Sequence, residues 1–256
     1  MSRVGSIFNL GILVVSLAGL ALIPSQAASP KKTASGYVYL DREQTGHRNS
    51  DDPGIQGVAV SNQRTVVLTD ENGYYNILLE AEDIIFISKP DGYDFHLNEY
   101  FLPQFYYIHS PEGSPTLDYP GIQPTGELPE AINFGLRNRI QEERMQVTVI
   151  GDPQPRNRQE LDYFRAGILN EVAGFDNDYL FVLGDMMYDD LSLSQAYNQM
   201  MASLRTPVIN VIGNHDLNLD APNNQHARET FKSYYGPTYY SFSEARRHFV
   251  VLDNID

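Results

Sequence analysis

The C-terminal half of the chain alternates between short apolar runs and stretches in which apolar residues recur at helical spacing. Three apolar runs predict buried strands over Val147–Ile150, Tyr179–Leu183 and Val208–Ile212. Helical spacing predicts helices over residues 159–172, 192–204 and 225–235. Two further apolar runs predict closing strands over Thr238–Phe242 and His248–Leu252. Alternation of strands and helices is typical of a parallel α/β sheet.

The preceding region has a different pattern, in which short β-branched or aromatic runs are separated by turn sequences such as Glu71-Asn72-Gly73. Five strands are predicted over Gly36–Leu40, Gly57–Ser61, Arg64–Thr69, Tyr74–Leu79 and Ile84–Ser88. We therefore expect a small antiparallel β-sandwich over residues 36–110. A connector over residues 111–144 follows, in which Ile132–Leu136 is a candidate strand. The fold class of the chain is thus expected to be α+β.

The segment from Tyr93 to His109 is dense in aromatic residues. One interpretation is that these rings pack against a sheet or against the following domain, and the other is that they form a sugar-binding surface. We favour packing.

Each of the three strands that begin the C-terminal half ends in a glycine followed by residues able to bind a metal. The three sequences are Gly151-Asp152-Pro153-Gln154, Gly184-Asp185 and Gly213-Asn214-His215-Asp216. They are separated by about 30 residues, the size of one strand–helix–strand unit. Such units bring successive strand ends to one edge of a parallel sheet, where α/β proteins place their ligands. The sequence therefore predicts that Asp152, Gln154, Asp185 and Asn214 bind metal in a metal-dependent hydrolase.

The residue types suit a two-metal centre. A carboxylate has two oxygens, so one Asp can bridge two cations that two-metal hydrolases hold about 3.5–4 Å apart. His215 beside Asp216 is predicted to be a catalytic acid–base pair, in which the carboxylate orients an imidazole that donates a proton to the leaving oxygen. Asp189 and Asp190 are interpreted instead as residues at a helix N-terminus.

The charge and the residue composition exclude some classes of function. A formal net charge of −15, from 18 basic and 33 acidic residues, disfavours long nucleic acid as a partner. It is compatible with a small phosphorylated substrate, because bound cations reverse the local field. The absence of cysteine excludes Cys-based catalysis, thiolate metal sites and disulfides.

The N-terminus has the pattern of an export signal. Arg3 is followed by the apolar run Leu10–Ile23 and by small residues before a cleavage point expected after Ala27. We expect residues 1–27 to be a signal peptide and the protein to be exported, as a periplasmic, cell-surface or secreted protein. The alternative is an uncleaved anchor helix, which is disfavoured because the run is shorter than the ~20 residues of a spanning helix. No stable membrane span is expected after cleavage.

A weaker signal lies between Asp41 and Asp52. The spacing of acidic residues loosely resembles a calcium loop, but Thr45 and a missing terminal Glu break the pattern. A solvated turn is the favoured interpretation.

The three glycine-led motifs, in this order, resemble those of the calcineurin-like metallophosphoesterase family, over about Met145 to Asp256. The stretches Tyr235–Phe242 and His248–Asp253 are also similar to the family. The region from Gly36 resembles the β-sandwich module found ahead of the catalytic domain in some exported bacterial members. The resemblance implies that Asp152 binds the first metal, Asp185 bridges, Asn214 binds the second metal and His215 lies near the leaving group.

The resemblance also implies two β-sheets layered between helices, a partial α/β/β/α domain over residues 145–256. Its reaction would be attack by a metal-bound hydroxide on a phosphomonoester or phosphodiester, with two divalent ions such as Mn, Fe or Zn. The sequence departs from the family by having Gln154 where His is commonest, and by ending before a Gly-His-x-His motif. We therefore expect a C-terminally incomplete member, and residues 1–256 to be weakly active or inactive.

A second hypothesis is a non-catalytic surface or binding protein, in which the β-sandwich carries the function and the phosphoesterase portion is inactive. The downstream sequence discriminates between the two, because a Gly-His-x-His motif there favours the enzyme. A dinucleotide-binding protein is disfavoured because no Gly-x-Gly-x-x-Gly follows any predicted strand. The sequence leaves the substrate and the oligomeric state open.

Overall fold

The computed structural model describes residues 32–80 and 82–255. The predicted signal peptide, residues 1–27, lies outside the described residues. Within the part of the chain that is described, no helix has the length and apolar character needed to cross a membrane.

The N-terminal region is built from two β-sheets. Its strands are β1 (Lys32–Leu40), β2 (Ala59–Ser61), β3 (Val66–Leu68), β4 (Tyr74–Leu79), β5 (Asp83–Ser88), β6 (Tyr93–Leu97), β7 (Pro103–Gln104), β8 (Tyr106–His109) and β9 (Phe134–Asn138). One sheet has the order β4-β1-β9-β6-β7 and the other the order β3-β2-β5-β8. Along β4, Tyr75, Ile77 and Leu79 are buried while Asn76 and Leu78 are exposed, which is the alternation of a strand with one face on a core.

One pairing in this region differs from the predicted antiparallel sandwich. Strand β9 lies in the predicted connector and pairs in parallel with β1, with Val38 opposite Phe134 and Leu40 opposite Leu136. Within residues 36–110 the strand pairings are antiparallel, as expected, and the parallel pairing is made by the candidate strand of the connector. A parallel neighbour needs a long crossover, and the segment between β8 and β9 supplies one.

The C-terminal region begins with a parallel sheet, β10-β11-β12, as its pattern predicts. Its elements are β10 (Val147–Ile150), α1 (Arg158–Phe164), a π-helical turn (Arg165–Leu169), α2 (Asn170–Val172), β11 (Tyr179–Leu183), α3 (Ser194–Ala202), β12 (Val208–Val211), α4 (Asn224–Ala227), α5 (Glu229–Tyr235), β13 (Tyr240–Glu244) and β14 (Arg247–Val251). Strands β13 and β14 form an antiparallel hairpin. Short 3₁₀ turns cover Leu191–Leu193 and Asn214–Asp216.

One of the two hydrophobic clusters of the described residues joins the two regions. Phe105 of the N-terminal region lies 4.7 Å from Tyr240 between ring centroids, and Phe95 lies 5.8 Å from Phe242. Phe242 also stacks on Phe181 of the parallel sheet. Because Phe95 and Phe105 are only 3% and 2% exposed, they act in packing, the interpretation favoured from the sequence.

A buried ion pair, the Lys89–Glu244 junction, ties β5 to the β13–β14 hairpin. The Lys89 ammonium lies 3.1 Å from the Glu244 carboxylate and donates a hydrogen bond to the backbone carbonyl of Ser243 at 2.6 Å. Glu244 also accepts from the Tyr179 hydroxyl at 3.2 Å and lies 3.4 Å from the Arg139 guanidinium. Burial lowers the pKa of Lys89, and Glu244 opposes that effect. These groups come from four separate parts of the chain, with Ser243 and Glu244 adjacent in sequence.

The loop between Asp41 and Asp52 is a hydrogen-bonded turn. The Asp41 carboxylate accepts the backbone N–H groups of Thr45 and Gly46 at 3.1 and 2.7 Å, and Asp52 accepts that of Asn49 at 2.8 Å. The predicted turn is therefore present. The expectation that it is solvated was wrong for Asp41 and Asp52, because both carboxylates are buried. The N–H groups occupy oxygens that a calcium ion would need.

Candidate metal centre

The candidate site lies where the three parallel strands end. Ile150 is in register with Val182, and Leu183 with Val211, so the loops that follow β10, β11 and β12 begin side by side. These loops start at Gly151, Gly184 and Gly213. The sheet therefore brings together the three motifs that are distant in sequence, as expected at the C-terminal edge of parallel strands.

The backbone of the first two loops is held in unusual conformations. Asp152, Gln154, Asp185 and Asp189 have φ angles of +42°, +41°, +48° and +60°. Left-handed conformations at residues other than glycine cost about 1–3 kcal/mol each and concentrate at functional sites. Four such residues in two adjacent loops indicate that the fold holds these polar side chains in fixed positions despite the conformational cost.

Asp185 is the point at which all three loops meet. Its carboxylate, on a residue only 6% exposed, accepts the backbone N–H of His215 at 2.9 Å and the Gln154 side-chain amide at 2.8 Å. Gly213 packs directly against it, because a Cβ at this position would lie 2.1 Å from the Asp185 Oδ1 atom. Only glycine permits this approach.

His215 has a well-defined setting in the third loop. Its Nδ1 atom lies 2.7 Å from the Asp189 carboxylate. The Tyr188 ring stacks on the imidazole, with centroids 4.4 Å apart and planes inclined by 24°. Within the described part of the chain the other ring nitrogen, Nε2, makes no hydrogen bond, so it is the nitrogen that can face a substrate.

The predicted pairing of His215 with Asp216 is wrong. The Asp216 carboxylate is 2% exposed and accepts the backbone N–H groups of Gly213 and Met186 at 2.9 Å each. Burial raises the pKa of the Asp216 carboxyl to about 7, while these hydrogen bonds act in the opposite direction. Consecutive residues of a helical turn project in different directions, so Asp216 turns inward and ties two loops together. Its predicted catalytic role loses its structural basis.

Asp152 and Asn214 flank the Asp185 cluster without touching it by hydrogen bonds. Both are exposed, and neither side chain hydrogen-bonds to another of the residues that the structure describes. Their assignment as metal ligands stays a prediction, as does that of Gln154 and Asp185.

The donor atoms of these four side chains fit a divalent ion in type. Carboxylate and amide oxygens are ligands for hard and borderline divalent ions, although Gln154 turns its amide N–H, and not its amide oxygen, toward the Asp185 carboxylate. Among residues 32–80 and 82–255, no three His, Asp or Glu side chains are grouped closely enough to hold an ion by themselves. The described residues thus offer part of a coordination shell.

Four residues near the site, Arg156, Tyr188, Asp189 and Asp190, were given no role in it from the sequence. Asp190 caps the following turn by accepting the N–H of Ser192 at 3.1 Å, as predicted, but Asp189 pairs with His215 instead. Tyr188 and Arg156 were not singled out at all, yet the Arg156 guanidinium lies 4.7 Å from the Tyr188 ring centroid. The only sequence signal was their closeness to the motifs, which does not specify contacts.

Two models of known protein families match this chain, one in each of its two regions. A family model for "Calcineurin-like phosphoesterase" matches residues 145–256, and one for "N terminal of Calcineurin-like phosphoesterase" matches residues 42–119. Residues 145–256 therefore form a calcineurin-like phosphoesterase domain. The resemblance inferred from the motifs is therefore confirmed for both regions and in the order expected. This domain supports a phosphoesterase-type hydrolase, and enzymes of this family typically use divalent metals.

Two individual proteins show more limited similarity. A 72-residue stretch is 36% identical to serine-aspartate repeat-containing protein I of Staphylococcus saprophyticus, which covers 25% of this chain and 4% of that protein. The chain therefore spans only a small fraction of this relative. Among solved structures, the shaft pilin SpaA from Lactobacillus rhamnosus GG aligns with a TM-score of 0.26 and 10% identity, over 48% of this chain and 55% of that chain.

Proposed function

We propose that this protein is an exported, metal-dependent hydrolase of small phosphomonoesters or phosphodiesters. The observation that carries the proposal is the meeting of the three glycine-led loops at the buried Asp185 carboxylate. The family match of residues 145–256 supports the reaction class. The layered α/β/β/α arrangement of the catalytic domain belongs to the same proposal.

In this function Asp152, Gln154, Asp185 and Asn214 would hold two divalent ions. Such ions, when bound, activate a water and neutralise charge on the phosphoryl oxygens. The chain itself supplies the proton: Asp189 holds Nδ1 of His215, and the free Nε2 donates to the leaving oxygen.

The charge of the protein supports a small substrate. With a net charge of −15, the chain has no excess of Lys and Arg to hold a long phosphate backbone. A single phosphoryl group needs only the local positive charge of bound cations.

The alternative of a non-catalytic binding protein is not favoured by the family match.

The decisive experiment is a metal and activity assay on protein expressed from its complete reading frame. Bound metal is measured by elemental analysis, and turnover with p-nitrophenyl phosphate and bis(p-nitrophenyl) phosphate in Mn²⁺, Fe²⁺ or Zn²⁺. We expect Asp185→Ala to remove bound metal and activity together, because its carboxylate is the predicted bridge. Full turnover by this variant would show that Asp185 is not the bridge.

Asp162→Ala is the matched control for this experiment. Asp162 is an exposed Asp on α1 that pairs only with Arg165 one turn away. Its loss removes the same charge without touching the site, so metal content and turnover should match those of the unmodified protein.

Export is tested separately. Mass spectrometry of the mature protein should give an N-terminus at Ala28, as expected for cleavage after Ala27. Recovery of the intact N-terminus in the cytoplasmic fraction would contradict export and leave the proposed chemistry untouched.

A further inference from the structure

The His215 imidazole is contacted in two independent directions. The Asp189 carboxylate lies 2.7 Å from Nδ1, and the Tyr188 ring stacks on the imidazole with centroids 4.4 Å apart. A hydrogen bond fixes the direction in which a ring points but permits rotation about that bond. A stacked neighbour restricts this rotation, so the two contacts together fix both the direction and the plane of the imidazole.

Tyr188 is itself held between two groups. The guanidinium of Arg156 lies 4.7 Å from the Tyr188 ring centroid. Because the imidazole already covers one face at 4.4 Å, we infer that the guanidinium packs on the opposite face. Among the described residues Arg156 forms no ion pair, and the contact with Tyr188 is the interaction that the structure records for its guanidinium. Stacking on aromatic faces is a strong preference of guanidinium groups.

The backbone holds this three-layer stack in place. The N–H of Gln154 donates to the carbonyl of Asp185 at 3.0 Å, and the N–H of Tyr188 donates to the carbonyl of Pro155 at 3.2 Å. These bonds tie the loop that carries Arg156 to the loop that carries Tyr188. The stack therefore spans the loops after β10, β11 and β12, the same loops that meet at Asp185.

Burial does not account for the position of the Tyr188 ring. Tyr188 is 36% exposed, whereas the tyrosines that serve the core, such as Tyr179 and Tyr197, are 2% and 0% exposed. A partly exposed aromatic ring gains less from leaving water than a buried one. The near-parallel stacking of the Tyr188 ring on the His215 imidazole therefore accounts for the ring position better than burial does.

We propose that Tyr188 is a positioning residue for His215, which sets the plane of the imidazole while Asp189 sets its direction, and that Arg156 braces the Tyr188 ring from the other side. This proposal rests on the proposed phosphoesterase function. It adds Tyr188 to the residues on which proton donation from His215 to the leaving oxygen depends.

The kinetic test compares two substrates that differ in their need for a proton. Phenyl phosphate has a poor leaving group that depends on a general acid, while p-nitrophenyl phosphate has a good one. In metal-loaded protein, Tyr188→Leu should lower kcat for phenyl phosphate about tenfold, with a smaller loss for p-nitrophenyl phosphate and little change in KM. Tyr188→Phe keeps the ring and should stay within about twofold of the unmodified protein.

Three results would overturn the proposal. One is an equal loss of kcat on both substrates in Tyr188→Leu, another is no loss on either, and the third is a Tyr188→Phe variant as impaired as Tyr188→Leu. Arg156→Gln should reproduce part of the Tyr188→Leu effect. Arg158→Gln, which neutralises an exposed residue at the start of α1, is its matched control and should change nothing.

A readout without catalysis separates this proposal from the proposed function. In metal-free protein with isotope-labelled histidine, the ring current of Tyr188 should shift the ring-proton resonance of His215, which is assigned by its loss in His215→Gln. The shift should persist in Tyr188→Phe and disappear in Tyr188→Leu. An unchanged shift in Tyr188→Leu would reject the stack, whereas inactivity of the unmodified protein with every metal would reject the hydrolase.

Discussion

Two polar clusters in this protein are built in opposite ways. The Lys89–Glu244 junction is sealed from solvent, with the two residues 0% and 2% exposed, and each charge has several partners. The cluster around Asp185 has a buried carboxylate but leaves Asp152 and Asn214 exposed and three of its residues at positive φ. In the first cluster the buried ion pair joins two regions of the fold. In the second cluster, polar side chains on strained backbone remain partly accessible to a ligand.

This difference suggests that the Lys89–Glu244 junction serves mainly the stability of the fold and the cluster around Asp185 mainly ligand binding. Groups that are buried and fully hydrogen-bonded are costly to disturb, because removing one partner leaves the other buried without compensation. Groups held in strained, half-exposed positions contribute little to stability, and their arrangement is instead typical of ligand sites. Substitutions in the two clusters should therefore affect different measurements.

The largest expected effect is at the junction. Lys89→Ala leaves the Glu244 carboxylate buried without its main partner and should lower the free energy of unfolding by about 3–5 kcal/mol. Urea denaturation measures this. Lys32→Ala removes a lysine from an exposed pair with Glu127 and should cost less than about 1 kcal/mol. Equal losses for the two variants would show that the junction is no more important than a surface pair.

Removal of metal should act only on the site. Where free metal is about a hundredfold above its dissociation constant, chelation should lower the stability of the unmodified protein by about 2.7 kcal/mol. Thermal unfolding with and without EDTA measures the shift. Asp185→Ala should show no shift, while any folded Lys89→Ala protein should show the full one. A chelation shift that survives in Asp185→Ala would place the ion elsewhere.

A close backbone approach can be tested at Gly213. In Gly213→Ala the new Cβ would meet the Asp185 Oδ1 atom, so we expect a loss of about 1–3 kcal/mol together with weaker metal binding. Gly167→Ala is the control, because Gly167 lies in the π-helical turn with no atom within 4 Å of a built Cβ. It should be neutral or stabilise by up to about 1 kcal/mol. Unchanged metal affinity in Gly213→Ala would contradict this account of Asp185.

The smallest expected effect concerns the partner of His215. Asp189→Asn removes the charge that holds Nδ1 and should lower kcat about ten- to a hundredfold, with a stability change within about 0.5 kcal/mol. Steady-state kinetics and urea denaturation measure the two. Asp190→Asn makes the same change one residue later and keeps an oxygen that can cap Ser192, so kcat should be unchanged. Similar kinetics for both variants would mean that Asp189 has no special role.

The parallel sheet and its ligand edge were predictable because both depend on local patterns. An apolar run ending in glycine and a residue able to bind a metal is visible in Val147–Asp152 without any knowledge of the fold, but the expectation that this strand is buried was wrong, because Val147 and Val149 are exposed. The partner of His215 was not predictable in this way. Asp216 is its neighbour in sequence, but the turn of the backbone directs that carboxylate inward and brings Asp189 of another loop to Nδ1 instead.

The parallel β1–β9 pairing and the Lys89–Glu244 junction show the same limit. Nothing in the segment before β9 specifies which strand it will join, and a lysine in a sequence is by default a surface residue. Both features depend on what the rest of the chain presents at that point in space.

The sequence by itself determined the order of strands and helices in the C-terminal half, the three glycine-led loops and the family that they resemble, but it did not predict strands β6, β7 and β8. The features that it determined follow from periodicity and from residue types that act over a few positions. Only the tertiary structure decided which carboxylate pairs with His215, which ring stacks on it and which charges are buried together. Those choices are made between residues distant in the chain, whose contacts depend on how whole elements pack and not on local propensity.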